Sequence, residues 1–218
     1  MPDAVVFDLD GVLIDSEVVW NEARRALTES AGGHWREDAQ RAMMGMSSVE
    51  WSRYMNENLA VPMPAQDISA AVVTGVERLY RRRLPLVPGA REAVLALARR
   101  WPLAIASSAN RRLIDLVLEL AGLDRCFEAS VSSEEVPRGK PAPDVYLEAA
   151  RRIAHPPDRC AAVEDSGNGI RAAARAGMSV LAIPNREFPP EPDALAEADV
   201  VLPSITELGV GVVEGLDR

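Results

Sequence analysis

Short apolar runs, each bounded by polar residues or glycine, recur along the chain. The runs are Ala4–Phe7, Leu103–Ala106, Phe127–Val131, Cys160–Val163, Val180–Ile183 and Val200–Leu202. Continuous apolar runs of this length are typical of strands that are buried on both faces of a parallel sheet. The pattern therefore predicts a parallel sheet, with the last run as an edge strand.

Apolar residues at helical spacing fill the intervals between these runs. The predicted stripes are Leu95, Ala98 and Trp101; Leu113, Leu116, Val117 and Leu120; Tyr146, Ala149, Ala150 and Ile153; and Ile170, Ala173 and Ala174. Strands that alternate with helices form right-handed crossover units around a parallel sheet. The predicted fold class is α/β, with a doubly wound, Rossmann-like parallel sheet as its core.

The segment of residues 15–83 has a different pattern, because it is charged and helical throughout. We expect four helical segments: one with a stripe at Val19, Ala23, Ala26 and Leu27, one before Gly45, one over Ser48–Asn58, and one over Ala65–Arg83. The proline-rich stretch 85–89 stops the last helix. We predict a small inserted α-helical cap domain at residues 15–83, and an α/β core domain at residues 1–14 and 84–218.

Composition narrows the possible functions. The chain has 218 residues, of which 48% are hydrophobic, and a net charge of −9, which disfavours a general nucleic-acid binder. Its two cysteines, Cys126 and Cys160, have no metal or redox spacing, so we expect a reduced, cytoplasmic setting. Two distant histidines disfavour a zinc site or a Ser-His-Asp triad. We expect neither a secretory signal nor a membrane span.

Polar residues follow four of the predicted elements, where a doubly wound sheet collects its ligands. They are Asp8 and Asp10 after the first strand, Ser107–Asn110 after the second, Gly139–Pro141 before a helix, and Glu164–Gly169 after a later strand. Carboxylates from two strands suit Mg²⁺. A lysine, serine hydroxyls and helix N-terminal amides suit a phosphate. Together they predict a phosphoryl-transfer site.

Each of these elements also has an ordinary structural explanation. Ser107 and Ser108 could cap a helix, Lys140 could lie on the surface, and Glu164 with Asp165 could favour a helix N-terminus through its dipole. Their joint occurrence at predicted strand ends favours the chemical interpretation. An Asp can form an aspartyl-phosphate, and a second carboxyl two residues on could protonate a leaving alkoxide if its pKa were raised.

The four motifs resemble those of the haloacid dehalogenase-like hydrolase superfamily, in particular the β-phosphoglucomutase-like and sugar-phosphate phosphatase subgroup. The resemblance implies that Asp8 is the nucleophile and Asp10 the general acid/base. It also implies phosphate binding by Ser107, Ser108 and Lys140. Mg²⁺ would be held by Asp8, the main-chain carbonyl of Asp10, Asp165 and Glu164, the last in or beside the shell. The helical segment resembles the cap that closes over the substrate in this family.

The resemblance also separates reaction types. Family dehalogenases and enzymes that cleave carbon–phosphorus bonds lack the second Asp, so Asp10 favours phosphate esters. The cap contains no Lys, no His shortly after the first motif, and no Lys or Arg in the stretch after Arg41 that forms the cap loop. Hydrolysis of a small phosphate monoester, such as a sugar phosphate, is therefore favoured over a sugar-phosphate mutase. A phospho-accepting signalling domain without turnover is a third possibility.

Several residues are candidates for contacts with the rest of the substrate. Glu17 and Asn21 could recognise hydroxyl groups or be exposed polar residues of the first cap helix, and Asn110 could position the ester or cap a helix. Met43, Met44 and Met46 could line the pocket roof or form cap core. The expected partner is a small phosphorylated metabolite, with no nucleic acid or membrane. The oligomeric state is open, with a monomer favoured.

Overall fold

The structure is a computed structural model that describes residues 1–43, 46–186 and 189–216. The chain divides into two compact units. One contains Met1–Asp15 and the described residues from Pro85 onward, and the other contains Ser16–Leu84. The assignment of these units as a catalytic core and a cap stays a prediction.

The first unit contains six strands and six α-helices among its described residues. The strands are β1 (Ala4–Phe7), β2 (Leu103–Ser107), β3 (Ala129–Ser132), β4 (Cys160–Glu164), β5 (Ser179–Ala182) and β6 (Val200–Val201). The helices of the chain are α1 (Glu17–Ser30), α2 (Ala39–Met43), α3 (Ser48–Asn58), α4 (Ala65–Arg82), α5 (Ala90–Leu97), α6 (Arg111–Ala121), α7 (Asp144–Arg152), α8 (Gly167–Arg175), α9 (Pro192–Leu195) and α10 (Val210–Glu214). Helices α1–α4 lie in the second unit, between β1 and α5.

All six strands pair in parallel, in the order β3-β2-β1-β4-β5-β6. The first strand is central: Val6 pairs with Ala104 of β2 on one side and with Ala162 of β4 on the other. The chain therefore leaves β1 in two directions, and the ends of β1, β2 and β4 border the switch point where such sheets bind ligands. The predicted doubly wound, Rossmann-like fold class is confirmed.

The sheet is buried on both faces. Every residue of β1, β2, β4 and β5 is buried, which explains why these strands carry continuous apolar runs rather than an alternating pattern. One face packs against α7 and α8, whose buried residues include Tyr146 and Ile170. This packing fixes the strand ends that carry the polar residues.

The third strand begins two residues later than the sequence pattern predicts. Phe127 precedes β3 and packs edge-on against Phe7 of β1, with ring centroids 6.0 Å apart. The predicted run from Phe127 to Val131 was therefore wrong at its start, because Phe127 is apolar for packing rather than for strand pairing.

The second unit is built around α4, which packs against both α1 and α3. Helix α3 begins with a capping box, in which Ser47 accepts from the Glu50 backbone N–H and Glu50 accepts from the Ser47 N–H at 2.7 Å. The predicted helix end at Gly45 and the candidate Met44 lie outside the described residues. In the described part of the chain, none of the helices is both long enough and apolar enough to cross a membrane.

Candidate active site

The centre of the site is formed by the ends of β1 and β4. The backbone N–H of Asp8 donates to the carbonyl of Val163 at 2.9 Å, which continues the β1–β4 pairing one residue past Phe7. Glu164 is the last residue of β4 and is fully buried. Strand pairing therefore places Asp8 and Glu164 side by side, as their positions after the apolar runs predict.

Lys140 lies between these two carboxylates, and its side chain is only 6% exposed. Its Nζ is 2.6 Å from Glu164 Oε1 and 2.9 Å from Asp8 Oδ1. The contact with Glu164 has hydrogen-bond geometry, and the contact with Asp8 is an ion pair. Lys140 is therefore held as an ion-pair partner of both groups.

Glu164 accepts hydrogen bonds on both carboxylate oxygens. Lys140 Nζ and Tyr146 Oη each donate to Oε1 at 2.6 Å, and Lys140 Nζ also lies 5.1 Å from the centroid of the Tyr146 ring. Oε2 accepts from the backbone N–H of Asp165 at 3.0 Å and from the N–H and hydroxyl of Ser166 at 3.2 Å. This set of donors fixes the Glu164 carboxylate, and through it the position of Lys140.

Two glycines make room for the acidic side chains. Gly11 has a positive φ of +80°, and a Cβ on it would lie 1.9 Å from Asp165 Oδ2. A Cβ on Gly169 would lie 1.8 Å from Glu164 Oε1. The turn after β1 and the first turn of α8 therefore approach these carboxylates as closely as a backbone can.

Three carboxylates are close enough to share one metal ion. Asp8, Glu164 and Asp165 are buried, and one oxygen of each lies within 4.8 Å of the others. Buried carboxylate oxygens of this kind suit a hard divalent cation. The residues present therefore fit a cation such as Mg²⁺.

Burial and like charge dominate the electrostatics of this cluster. Burial raises the pKa of Asp8 to about 7, with Glu164 and Asp10 adding to the rise and Lys140 opposing it. Burial, together with the charges of Glu164 and Asp8, raises the pKa of Asp165 as well. The pKa of Lys140 is also raised, because Asp8 and Glu164 outweigh its burial. One ammonium group thus faces more negative charge than it can balance.

The other predicted catalytic and phosphate-binding residues lie just after β1, at the end of β2 and just beyond it. Asp10 is half-buried in the turn after β1, where it forms an isolated bridge with Ile14. Ser107 is fully buried at the end of β2 and accepts from the Ala109 backbone N–H at 3.0 Å, whereas Ser108 is exposed. The roles assigned to these residues stay predictions.

Asn110 occupies the position before α6, but its side chain makes no hydrogen bond to the helix amides. It donates instead to Glu134 Oε1, and Glu134 Oε2 accepts from the backbone N–H of Arg111 at 3.2 Å. Glu134 therefore does the capping that sequence reasoning offered as one explanation of Asn110.

Within the helical unit, Glu17 and Asn21 are half-buried on α1, and Asn21 Oδ1 is buried without a hydrogen-bond partner. Sequence reasoning did not consider Arg24, which lies one turn further along the same helix and is only 7% exposed. It also missed Tyr146, which it treated only as part of an apolar stripe. The sequence offered two signals. One is a tyrosine within a helical apolar stripe, and the other is an arginine next to Ala23, which belongs to a second such stripe.

Comparisons with known proteins agree with this geometry. The family model of the haloacid dehalogenase-like hydrolases matches residues 2–177. A phosphorylated carbohydrates phosphatase from Thermotoga maritima is 33% identical over 81% of this chain and 82% of its own. Hexitol phosphatase B from Escherichia coli K12 is 34% identical over 94% of this chain and 93% of its own. The crystal structure of CbbY from Rhodobacter sphaeroides in complex with phosphate has a TM-score of 0.87 at 27% identity, and the match covers 98% of this chain and 100% of that one.

The chain belongs to the haloacid dehalogenase-like hydrolase family. The predicted membership of its sugar-phosphate phosphatase subgroup and the predicted enzyme class, a phosphoric monoester hydrolase, are confirmed by this match and by relatives that are named phosphatases. Membership of a hydrolase family argues against the phospho-accepting domain without turnover.

Proposed function

We propose that this protein hydrolyses a small phosphate monoester, a sugar phosphate in the first instance, with Mg²⁺ and through an aspartyl-phosphate on Asp8. The observation that carries the proposal is the buried cluster of Asp8, Glu164 and Asp165 around Lys140 at the ends of β1 and β4. The names of two relatives, a phosphatase of phosphorylated carbohydrates and a hexitol phosphatase, support the substrate class.

In the first step, a carboxylate oxygen of Asp8 attacks the phosphorus atom, and the bond from phosphorus to the ester oxygen breaks. Asp10 donates its proton to that leaving oxygen, so the alcohol departs neutral. In the second step, the Asp10 carboxylate takes a proton from a water molecule, and the water attacks the phosphorus atom. The bond between phosphorus and Asp8 breaks, which releases inorganic phosphate and restores Asp8.

Electrostatic stabilisation would come from Lys140 and from Mg²⁺. Mg²⁺, held by Asp8, Asp165 and the main-chain carbonyl of Asp10, with Glu164 in or beside the shell, would neutralise charge on the phosphoryl oxygens. Lys140 would bind a phosphoryl oxygen, in a position fixed by Glu164 and Tyr146. Ser107 and Ser108 would donate to the other oxygens.

The remaining predicted contacts belong to the same proposal. The unit of residues 16–84 would act as the cap, with Glu17 and Asn21 as groups that bind substrate hydroxyls. The Asn110 side chain would have to leave Glu134 before it could contact the ester. A cytoplasmic location also stays a prediction.

The test is phosphate release from a panel of sugar and polyol monophosphates with Mg²⁺. We expect release that excess chelator abolishes, and a fall of at least about 1,000-fold in kcat for Asp8→Asn, because no other carboxylate replaces the nucleophile. The matched control is Asp115→Asn, an exposed carboxylate on α6, which should retain full activity. Activity of Asp8→Asn equal to that of the control would refute the mechanism.

A sugar-phosphate mutase is the second candidate, and the buried cation Arg24 in the helical unit is the observation that favours it. A mutase must hold a second phosphate during transfer, which a cap cation would assist. Conversion of a sugar 1-phosphate to its 6-phosphate isomer, followed by product analysis, separates the two. Free phosphate as the sole product would exclude the mutase.

A further inference from the structure

The loop after β2 is held in place by hydrogen bonds to its own peptide groups. Ser107 Oγ accepts from the backbone N–H of Ala109 at 3.0 Å, and Ser132 Oγ donates to the carbonyl oxygen of Ala109 at 2.6 Å. Both serines are fully buried, and they pair with each other at the ends of β2 and β3. Ala109 is therefore held by one serine hydroxyl at its N–H and by another at its carbonyl.

This arrangement directs the Ser107 hydroxyl without using its hydrogen. A serine hydroxyl has one donor and two acceptor sites, and the bond from the Ala109 N–H occupies an acceptor site. That bond restricts the rotation of the hydroxyl group and so fixes the directions in which its O–H can donate. Ser107 ends β2, which pairs with β1, and Asp8 follows β1. The hydroxyl is therefore on the strand next to the proposed nucleophile.

A carboxylate on the turn of residues 132–135, here called the β3 turn, holds the next two residues of the loop. Glu134 Oε1 accepts from the side-chain amide of Asn110, and Oε2 accepts from the backbone N–H of Arg111 at 3.2 Å. The backbone N–H of Glu134 in turn donates to Ser132 Oγ at 3.1 Å. Ser132 and Glu134 together therefore bind three consecutive residues after β2.

The β3 turn is itself anchored to two helices through Glu135. Its Oε1 accepts from the backbone N–H of Ser132 at 3.0 Å and from Arg111 Nε of α6 at 2.8 Å, and its Oε2 accepts from Arg152 Nη2 of α7 at 2.8 Å. Partial burial opposes ionisation of Glu135, but hydrogen bonds from Arg111, Ser132 and Arg152 outweigh it and lower its pKa to about 2. The carboxylate is therefore ionised at neutral pH and keeps the turn attached to both helices.

The β3 turn also contacts the segment that carries Lys140. A Cβ on Gly139 would lie 3.7 Å from both Cβ and Oγ of Ser133, which is an ordinary van der Waals distance. Gly139 directly precedes Lys140 in the sequence. The β3 turn therefore touches both segments to which the proposed function assigns phosphate binding.

We propose that Ser132 and Glu134 are positioning residues, which hold the loop after β2 in the conformation in which Ser107 donates to the phosphoryl group. Both act through the loop rather than by touching the substrate. The inference rests on the proposed phosphatase function and deepens it, because it assigns Asn110 to the support of the loop and not to the ester. A donor that is already in position needs no reorganisation when the phosphate binds, which favours both affinity and rate.

Three variants remove or conserve the support. Ser132→Ala removes the hydroxyl that joins Ala109 to Glu134, and Glu134→Ala removes the acceptor of Asn110 and Arg111. Glu134→Gln is the conservative variant. Its amide NH₂ can donate to Asn110 once the Asn110 amide is flipped, while its oxygen still accepts from Arg111.

The matched control is Ser130→Ala, on the same strand as Ser132. Ser130 Oγ accepts from Arg111 Nη1 at 2.6 Å, so this variant also loses a hydrogen bond to α6, but from a side chain and not from the backbone of the loop. Because Glu134 is exposed, its variants should fold even if Ser132→Ala does not.

The measurement is the binding of inorganic phosphate in the presence of Mg²⁺, by isothermal titration calorimetry, which requires no turnover. We expect the Kd to rise about tenfold in Ser132→Ala and about fivefold in Glu134→Ala, and kcat/KM for the best sugar phosphate to fall to a similar extent. Glu134→Gln and Ser130→Ala should both stay within about twofold of wild type.

A double-mutant cycle tests whether the support acts through the Ser107 hydroxyl. In the Ser107→Ala background, Glu134→Ala should change the phosphate Kd by less than about twofold, because the donor that it positions is gone. A purely structural effect would be independent of Ser107. An effect of Glu134→Ala that persists in full in this background would therefore overturn the inference.

The outcomes also separate this inference from the proposed function. If the wild-type protein binds phosphate but releases none from the substrate panel, the phosphatase proposal fails, and the variants still decide on the β3 turn. A wild-type protein that does not bind phosphate, or an equal rise of Kd in Ser130→Ala, overturns the inference. So does a lower Tm of Ser132→Ala and Glu134→Ala with an unchanged Kd, because the β3 turn would then serve stability alone.

Discussion

Tyr146 is the residue whose contribution to the candidate site is least visible in the sequence. Its hydroxyl donates to the same Glu164 oxygen as Lys140, and burial followed by the charge of Glu164 raises the pKa of the phenol, which keeps it a donor. Tyr146 therefore acts on the reaction, under the proposed function, through the position of Glu164 and Lys140.

We expect Tyr146→Phe to lower the free energy of unfolding by about 1.5–2 kcal/mol, because a buried hydrogen bond to a carboxylate is lost while the ring remains. Urea unfolding measures the change. The control is Tyr54→Phe, at a half-buried tyrosine of α3 in the helical unit, which should change stability by less than about 0.5 kcal/mol. Equal effects of the two substitutions would contradict the role assigned to Tyr146.

The residues that sequence reasoning found differ from those it missed in one physical respect. The residues that it found are charged and lie next to apolar strands or before a helix: Asp8, Lys140 and Glu164. Their position in the sequence is enough to identify them as candidate site residues. Tyr146 and Arg24 lie within helical stripes, where their apolar parts satisfy the pattern. Their polar ends become significant only when the packing shows which partners are present or absent.

At the scale of elements, the approach of α8 to the end of β4 depends on Gly169. The first turn of α8 lies so close to Glu164 that no Cβ fits, although Gly169 has an ordinary helical backbone. The same kind of residue in α4, Gly75, faces only an ordinary contact, because a Cβ on it would lie 3.4 Å from Ala23 Cβ.

Replacing these two helical glycines with alanine should have opposite effects on stability. Gly169→Ala forces Glu164 to move, so we expect a loss of about 2–3 kcal/mol in stability and at least about a tenfold loss of kcat. Gly75→Ala should raise stability by about 0.5–1 kcal/mol, because it restricts the unfolded chain without a clash. Urea unfolding measures the stability of both variants, and phosphate release measures their activity. A Gly169→Ala protein that is as stable and active as wild type would refute the close approach of α8 to Glu164.

The elements themselves were largely predictable. The four central apolar runs became β1, β2, β4 and β5 because burial on both faces favours continuous apolar residues. The start of β3 was not predictable, since the sequence does not distinguish the packing of Phe127 on Phe7 from strand pairing. Nor does spacing show that Asn110 binds Glu134, because the two residues are 24 positions apart on separate segments.

At the scale of the whole molecule, the acidic cluster should make stability depend on pH and on metal. The pKa of Asp8 is about 7 in the folded protein, against an ordinary value of 3.8. Between these values the folded state binds a proton that the unfolded state has lost, so the free energy of unfolding falls as the pH rises.

We therefore expect the Tm in excess chelator to decrease from pH 5 to pH 8, and the decrease to be smaller in Asp8→Asn. Saturating Mg²⁺ should raise the Tm most at pH 8, because the ion binds the ionised carboxylates of the folded protein. Differential scanning calorimetry across this pH range measures both effects. A metal-free Tm that increases with pH would contradict the electrostatics of the cluster.

The central position of β1 has a consequence for synthesis of the protein. Residues 4–7 are translated before both of their neighbouring strands, which lie about 100 and 155 residues further along the chain. At about 5–20 residues per second, the second neighbour follows about 8–30 s later. During that interval an apolar strand has no complete sheet to join. This strand is therefore open to aggregation or chaperone binding during that interval, and its full burial waits until β4 has been translated.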